Sequence, residues 1–465
     1  MPLISPIRSP IRSPIRHAAG GGPADWGALY GADLVMDFAA GFYRLGMGVP
    51  AGTLPLLSVT RATTRWALDP AGTLVAFPAN VPRIVTGRGL LVEEARTELL
   101  TNPMTPDSWT LFSGATKAAL TPDGLWSPVR VASAGQVFDG AYDSDVSLTP
   151  GTAYAITLVV KQGSSGKLRI INNNQTDVVE NYVVGAFGSL ASAGSGDAGS
   201  VSSLSEEELA NGLTRLTYVF TVNAARTNPS TYRFLVCPES AVVGEYVDVY
   251  GMNVQEASHP VEFVGATGAI ADDRPLIAAA AWPMVRADAM TWLAEWEDVA
   301  VQTGVIRTVF EARADSAADT RYTLLLNASN NALFATANDG FLGSVTMATS
   351  GVDDGARHRA AVAFEAGVAQ RGSVDGAAAE SAALDGPAAS DLDIVRVGWR
   401  VNSTQHLNGV LRRLAAWRGA KTASELEALA SGPFSSAEPP PPADVRVTAG
   451  GDRRVTVGGD VRVTA

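Results

Sequence analysis

The best candidate in the chain for acid–base work is one pair of carboxylates. Glu295 and Glu297, within LAEWEDV (293–299), alternate along a predicted strand and would therefore point to one side of it. Cleavage of a glycosidic bond needs two carboxylates about 5–10 Å apart across the bond, and this pair has the matching residue types. Trp296 and Asp298 do not extend the pattern to a third acid, and a core strand with a charged edge explains the segment as well. His17, His259, His358 and His406 are scattered among turns and strands. No Ser-His-Asp or HExxH arrangement accompanies them, and no glycine-rich phosphate loop is present. No catalytic residue is assigned. Cys237 is the single cysteine, so neither an intrachain disulfide nor a cysteine metal cluster can form. Its neighbours Phe234, Leu235 and Val236 predict a small buried hydrophobe.

A second chemistry is the recognition of hydroxyl-rich rings, which uses aromatic faces for stacking and amides for hydroxyls. Trp109, Trp126, Tyr142, Tyr182 and Tyr232 offer the rings. Asn172 and Asn174, in the run Asn172-Asn173-Asn174-Gln175 after a strand, offer the amides. A core placement competes with the ligand placement for each ring, and a solvated loop competes for the amides.

The chain has 465 residues, enough for about three domains. Its 35 basic residues are outnumbered by 47 acidic ones, against a nucleic-acid-binding surface. No apolar run approaches the ~18–20 residues of a membrane-spanning helix. The arginine-bearing start is broken by prolines and lacks an apolar core, so it is not expected to be a secretory signal peptide.

Both ends are repetitive. Ser5-Pro6-Ile7-Arg8 recurs at 9–12 and 13–16. Proline at every fourth position excludes a helix and holds the preceding serines extended. Ile7, Ile11 and Ile15 would then line one side, about 13 Å apart at ~3.3 Å per residue. Arg8, Arg12 and Arg16 would line the other. This is the pattern of a docking peptide laid along a groove, or of a disordered leader ahead of Gly20-Gly21-Gly22. At the other end, DVRVTAGG, DRRVTVGG and DVRVTA follow the proline run 439–442, a stiff spacer. Three-residue loops at 450–452 and 458–460 would oppose Val447 to Val455, Val445 to Val457, Val457 to Val461 and Val455 to Val463. The all-valine face is too small to be stable alone, which predicts burial against copies of itself.

The middle of the chain reads as all-β: two β-sandwich domains in tandem, flanked by a small N-terminal connector and the C-terminal strand repeats. Strands are expected at 153–161, 168–171, 214–222, 232–237 and 246–254 in the first sandwich. The second is expected to close with a strand at 407–417 and a short helix at 424–430. The expected partition is 1–25 docking peptide, 26–103 connector, 104–258 first sandwich and 259–280 linker. The second sandwich then occupies 281–432, a spacer 433–443 and the strand repeat 444–465.

Three resemblances go further. Segment 59–78, with its turn Asp69-Pro70-Ala71-Gly72, and segment 79–103, with Gly87–Gly89 and Glu93-Glu94-Ala95-Arg96-Thr97, together resemble the connector that opens many bacteriophage fibre proteins. The strand pattern of 104–258 and its close VYGMNVQEASHPVEFVGATG (249–268) resemble a jelly-roll carbohydrate-binding module. Segments 308–326, 358–364, 395–400 and 407–417 resemble a concanavalin A-like, laminin G-type sandwich. Together they imply a tail- or head-fibre appendage on a virion, assembled in the host cytoplasm. Its implied partners are a phage tail or capsid protein, host surface polysaccharide and itself, as a homotrimer, with no nucleic acid and no membrane insertion. The laminin G-type resemblance admits calcium, with Asp353, Asp354, Asp391 and Asp393 as oxygen ligands, but no cofactor or metal is expected. The alternative is a polysaccharide-degrading enzyme carrying the same modules. A β-sandwich glucanase of related fold would show the third acid that is missing beside Glu295.

Overall fold

The computed structural model describes residues 32–432 apart from 46–56, 178, 195, 228–229, 264, 266, 279–287, 299–304, 315–320, 330, 339–340, 348–350, 353–355, 385–391 and 401–404. The isoleucines and arginines of the N-terminal repeat (Ile7 to Arg16) and the valines of the C-terminal repeat (Val445 to Val463) lie outside the described residues. So do Asp353, Asp354 and Asp391.

Residues 31–432 form one compact unit containing two β-sandwiches. The first packs an eight-stranded sheet, in which Ala153–Lys161 lies between Leu213–Val222 and Tyr246–Glu256, against a seven-stranded sheet built around Lys167–Asn174 and Ser230–Cys237. Alternation supplies its core: Ile156, Leu158 and Val160 face Leu168, Ile170, Phe234 and Val236. The expected strands are present, and most run one to three residues longer. The amide run does not form a loop: Asn172–Asn174 completes the strand that begins at Lys167.

In the second sandwich, Ala289–Asp298 pairs with Arg357–Glu365 and Gly409–Arg418 in one sheet. The other sheet runs from Phe341–Thr346 through Arg321–Leu326 and Arg307–Arg313 to Arg274–Ala278. Trp292 stacks on Phe310 across the core at 5.0 Å. The terminal helix, Ala423–Ala430, starts at a capping box: the Thr422 side chain accepts from the Glu425 N–H, and Glu425 accepts from the Thr422 N–H.

The connector differs from expectation. Its strands are built into both sheets of the second sandwich, with Leu34–Asp37 and Gly89–Val92 pairing with Gly409–Arg418. Leu57–Thr60 pairs with Arg274–Ala278, which lies in the segment expected to be a linker. The physical reason is burial: Leu34, Met36, Leu90 and Val92 are fully enclosed in the second core. The first sandwich is thus inserted into the second, entered by Arg96–Glu98 and left by Gly268–Ile270, which pair with each other.

The hairpin Arg65–Leu68/Leu74–Phe77 is a wedge between the sandwiches. One face, Trp66, Leu68 and Leu74, packs on Trp126, Val159, Tyr250 and Phe263 of the first sandwich and its exit segment. The opposite face, Ala67, Val75 and Phe77, packs with Leu91 and Val410 of the second. Its turn needs glycine: Gly72 has φ +80°, and a Cβ there would meet the side chain of Asn211. Beside the hairpin lies a buried ionic cluster. Arg83 donates to Glu93 (2.7 Å) and Asp273 (2.5 Å), Arg61 to Asp273 (2.7 Å) and Arg65 to Glu93 (2.9 Å). Burial opposes ionisation of Glu93, but Arg83 and Arg65 outweigh it and bring its pKa down to about 2.

Candidate functional site

The seven-stranded sheet of the first sandwich turns one side to the core and the other outward. Antiparallel register places four outward residues in one row across four strands. Tyr182 is opposite Ile171, and Ile171 is opposite Leu235. Tyr142 continues the row, one position on from the Ala141–Val236 pair. Three strand spacings separate the two tyrosines, about 14 Å at ~4.8 Å each. Ile171, Leu235 and Cys237 form an apolar floor on which Phe112, Tyr142 and Tyr182 rest half-buried.

Charged and amide groups rim this floor. The Arg169 guanidinium lies 4.8 Å from the Tyr182 ring centre and donates to Glu239 through Nε and Nη2. Arg233 stands 4.8 Å from the Tyr142 ring centre and donates to both oxygens of Asp145. Each ring is therefore held by a cation that a two-point carboxylate contact fixes in turn. Glu180 accepts from Tyr182 Oη at 2.6 Å and from Asn173 Nδ2 at 2.7 Å. The Glu180 hydrogen bond, with some burial, pushes the Tyr182 phenol up to about 12, so it remains a donor at neutral pH. Burial raises the Cys237 thiol, which is a floor residue and not a nucleophile. The face thus offers two aromatic platforms, two guanidiniums, an amide and carboxylates around an apolar strip.

Of the residues nominated for ring recognition, Tyr142 and Tyr182 are on this face. The other five require correction because they are buried, four of them inside the first sandwich and Trp126 against the hairpin. Trp109 is 2 % exposed and donates from Nε1 to the Asn102 carbonyl at 2.9 Å. Trp126 packs edge-on against Phe263 in the contact with the hairpin. Tyr232 is fully buried and donates to the Ala198 carbonyl at 2.6 Å. Asn174 donates to Tyr232 Oη and accepts from the backbone of Thr176 and Asp177. Asn172 accepts from Tyr218 Oη at 2.8 Å, deep in the core. Arg169, Glu180 and Arg233 lie outside the expected set, and Asn173 is the member of the amide run that faces outward. The two-residue period would have identified Asn173, because Leu168 and Ile170 fix the inward parity.

Glu295 and Glu297 share an outward face of the second sandwich, but Glu295 is buried among arginines. Arg359 donates to it at 2.8 Å, with Arg413 at 3.3 Å and Arg412 at 3.5 Å. Arg412 also reaches Glu297 at 3.4 Å. Three guanidiniums thus share the Glu295 carboxylate as ion-pair partners. His358 donates from Nδ1 to Asp375 at 2.7 Å, and His259 Nε2 lies 2.6 Å from Arg96. Among the described residues no cluster of His, Cys, Asp or Glu has the geometry of a metal site, and no helix is long and apolar enough to cross a membrane.

No protein-family model matches the sequence, and no curated protein matches it. Solved structures similar to parts of the chain include the carbohydrate-binding module CBM40 of the Ruminococcus gnavus IT-sialidase, bound to α2,3-sialyllactose. It is 16 % identical over 33 % of this chain and 86 % of its own length, with a TM-score of 0.26. The leech intramolecular trans-sialidase is 14 % identical over 33 % of this chain and 25 % of its own, with a TM-score of 0.26. The SAP-like pentraxin of Limulus polyphemus is 9 % identical over 32 % and 72 %, also at 0.26.

Proposed function

We propose that the protein is a glycan-binding appendage, and that a saccharide chain lies across the strands of the first sandwich from Tyr182 to Tyr142. The observation that carries this is the row Tyr182–Ile171–Leu235–Tyr142, with Asn173, Glu180, Arg169 and Arg233 beside it. Rings at the ends of an apolar strip stack on sugar faces, and the fixed amide and carboxylates take the hydroxyls. A span of about 14 Å favours an oligosaccharide over a single sugar. The appendage half of the reading rests on the resemblance of segment 59–103 to phage fibre connectors and on the repeats at both ends. On this reading the protein docks on a virion, trimerises through its valine repeats and has no hydrolytic activity.

Affinity electrophoresis in gels containing bacterial surface polysaccharides tests the binding. The intact protein should be retarded by at least one polysaccharide, with Tyr182→Ala and Tyr142→Ala each weakening retention about tenfold. Retardation unchanged in both variants would sink the assignment of this face. Release of reducing ends from the same polysaccharide, lost in Glu295→Gln, would overturn the non-enzymatic reading. Light scattering of the full chain should give three times the monomer mass.

A further inference from the structure

The second sandwich carries a depression with a different chemistry, independent of the face just described. It lies on the outward side of the sheet that contains Arg307–Arg313, Arg321–Leu326, Ala332–Asn338 and Phe341–Thr346, and it encloses about 250 Å³. That is about eight times the volume of a water molecule in the liquid, room for one small ring. Small residues make the hollow: Ala335, Gly343 and Ser344 stand where larger side chains would fill it. Leu325 gives it an apolar wall, Thr323 and Ser344 bring hydroxyls, and Arg321 and Arg400 complete the lining.

The arginines are set in place by the sheet. Glu311, fully buried, is opposite both Thr323 and Arg396 in the register. It accepts from Arg396 Nη1 at 2.7 Å and from Arg400 Nε at 3.2 Å. Gln405 accepts from Arg400 Nη1 at 3.2 Å, so both ends of that guanidinium are anchored. Arg313 and Arg321 are directly opposed across the ladder. We infer that this hollow binds one carboxylate-bearing sugar unit, its acid group on Arg321 and Arg400, its hydroxyls on Thr323 and Ser344, and its apolar ring face on Leu325 and Ala335. Planar guanidiniums recognise a carboxylate through paired hydrogen bonds, and an apolar wall beside hydroxyls suits a pyranose better than a simple inorganic anion.

The test is calorimetric titration of the full chain with glucuronate, glucose and sulfate at low salt. The expected result is one saturable glucuronate site per chain, with glucose and sulfate each at least about tenfold weaker. Arg400→Gln and Arg321→Gln should each weaken glucuronate about tenfold, and Ser344→Leu, which fills the hollow from an exposed position, should abolish binding. Unchanged thermal midpoints would show that these variants fold. Tyr182→Ala should leave glucuronate binding intact, which separates failure here from failure of the first-sandwich reading. A uronate-terminated disaccharide distinguishes the ligand's source: tighter binding than glucuronate identifies a glycan end, and weaker binding a free sugar acid. Absence of a saturable site, equal binding of glucose or sulfate, or glucuronate binding indifferent to the three variants would overturn the inference.

Discussion

Arg215 donates to Glu262 at 2.9 Å, joining a strand of the first sandwich to the segment through which the chain leaves it. Arg88, from the turn that precedes Gly89–Val92, donates to the same carboxylate. One fully buried acid therefore ties the inserted sandwich to a strand entry of the other. Burial alone would raise the Glu262 pKa, but Arg215 and Arg88 bring it down to about 2.

Replacing Glu262 with alanine would leave two half-buried guanidiniums without their shared anion. We expect a loss of about 3 kcal/mol, the lower end for a broken buried pair, measured by urea denaturation. The wild-type contribution is tied to ionisation. It is complete above the unfolded-state value near 4.5 and is lost as pH falls toward 2, with Glu93 behaving alike. An acid limb equally steep in Glu262→Ala would contradict this.

The insertion predicts which fragments fold. A fragment spanning 281–432 lacks Leu34–Asp37, Leu57–Thr60 and Gly89–Val92, strands that belong to its two sheets. Expressed alone it should be insoluble or show no cooperative melt, whereas 32–432 should be soluble. Cooperative unfolding of the short fragment, followed by circular dichroism, would overturn the insertion.

Glu98 links the two connections at the point of insertion. It accepts from the backbone of Leu100 and Val254 and from Asn253 and Gln255. Those bonds favour the carboxylate, yet burial dominates and raises its pKa to about 8. The folded chain therefore holds a proton there that the unfolded chain releases above about 4.5. Its contribution is full below that pH and falls as pH rises through 8. In Glu98→Gln the thermal midpoint should lose this alkaline decline; an unaltered slope between pH 5 and 8 would count against it.

Core and surface aromatics should separate by assay. Trp109→Ala should cost about 3–5 kcal/mol in stability, as expected for an enclosed ring. Tyr142→Ala and Tyr182→Ala, half-exposed on the outward face, should alter binding and cost less than Trp109→Ala. Equal destabilisation by all three would place the tyrosines in the core.

Strand positions were legible because alternating apolar residues such as those of Ala153–Lys161 leave little choice of period. Which face an aromatic or amide occupies was also encoded. It required carrying the parity of Leu168 and Ile170 forward, which puts Asn172 and Asn174 inside and Asn173 outside. The chain-wide assembly was not legible. Nothing local in Leu34–Asp37 shows that its partner is Leu414, nearly 380 residues later. The arginine cages around Glu295, Glu93 and Glu262 were hidden for the same reason. The guanidiniums that reach Glu295 and Glu262 come from segments distant in sequence.

The first sandwich enters and leaves through two strands that are bonded to each other, Thr97 opposite Ala269. A domain hung on one linker swivels freely, whereas one held by a pair of bonded strands resists twisting. A tug or torque on a ligand held at Tyr142 and Tyr182 would pass along both strands at once into the second sandwich. The insertion makes the chain a lever with a stiff neck.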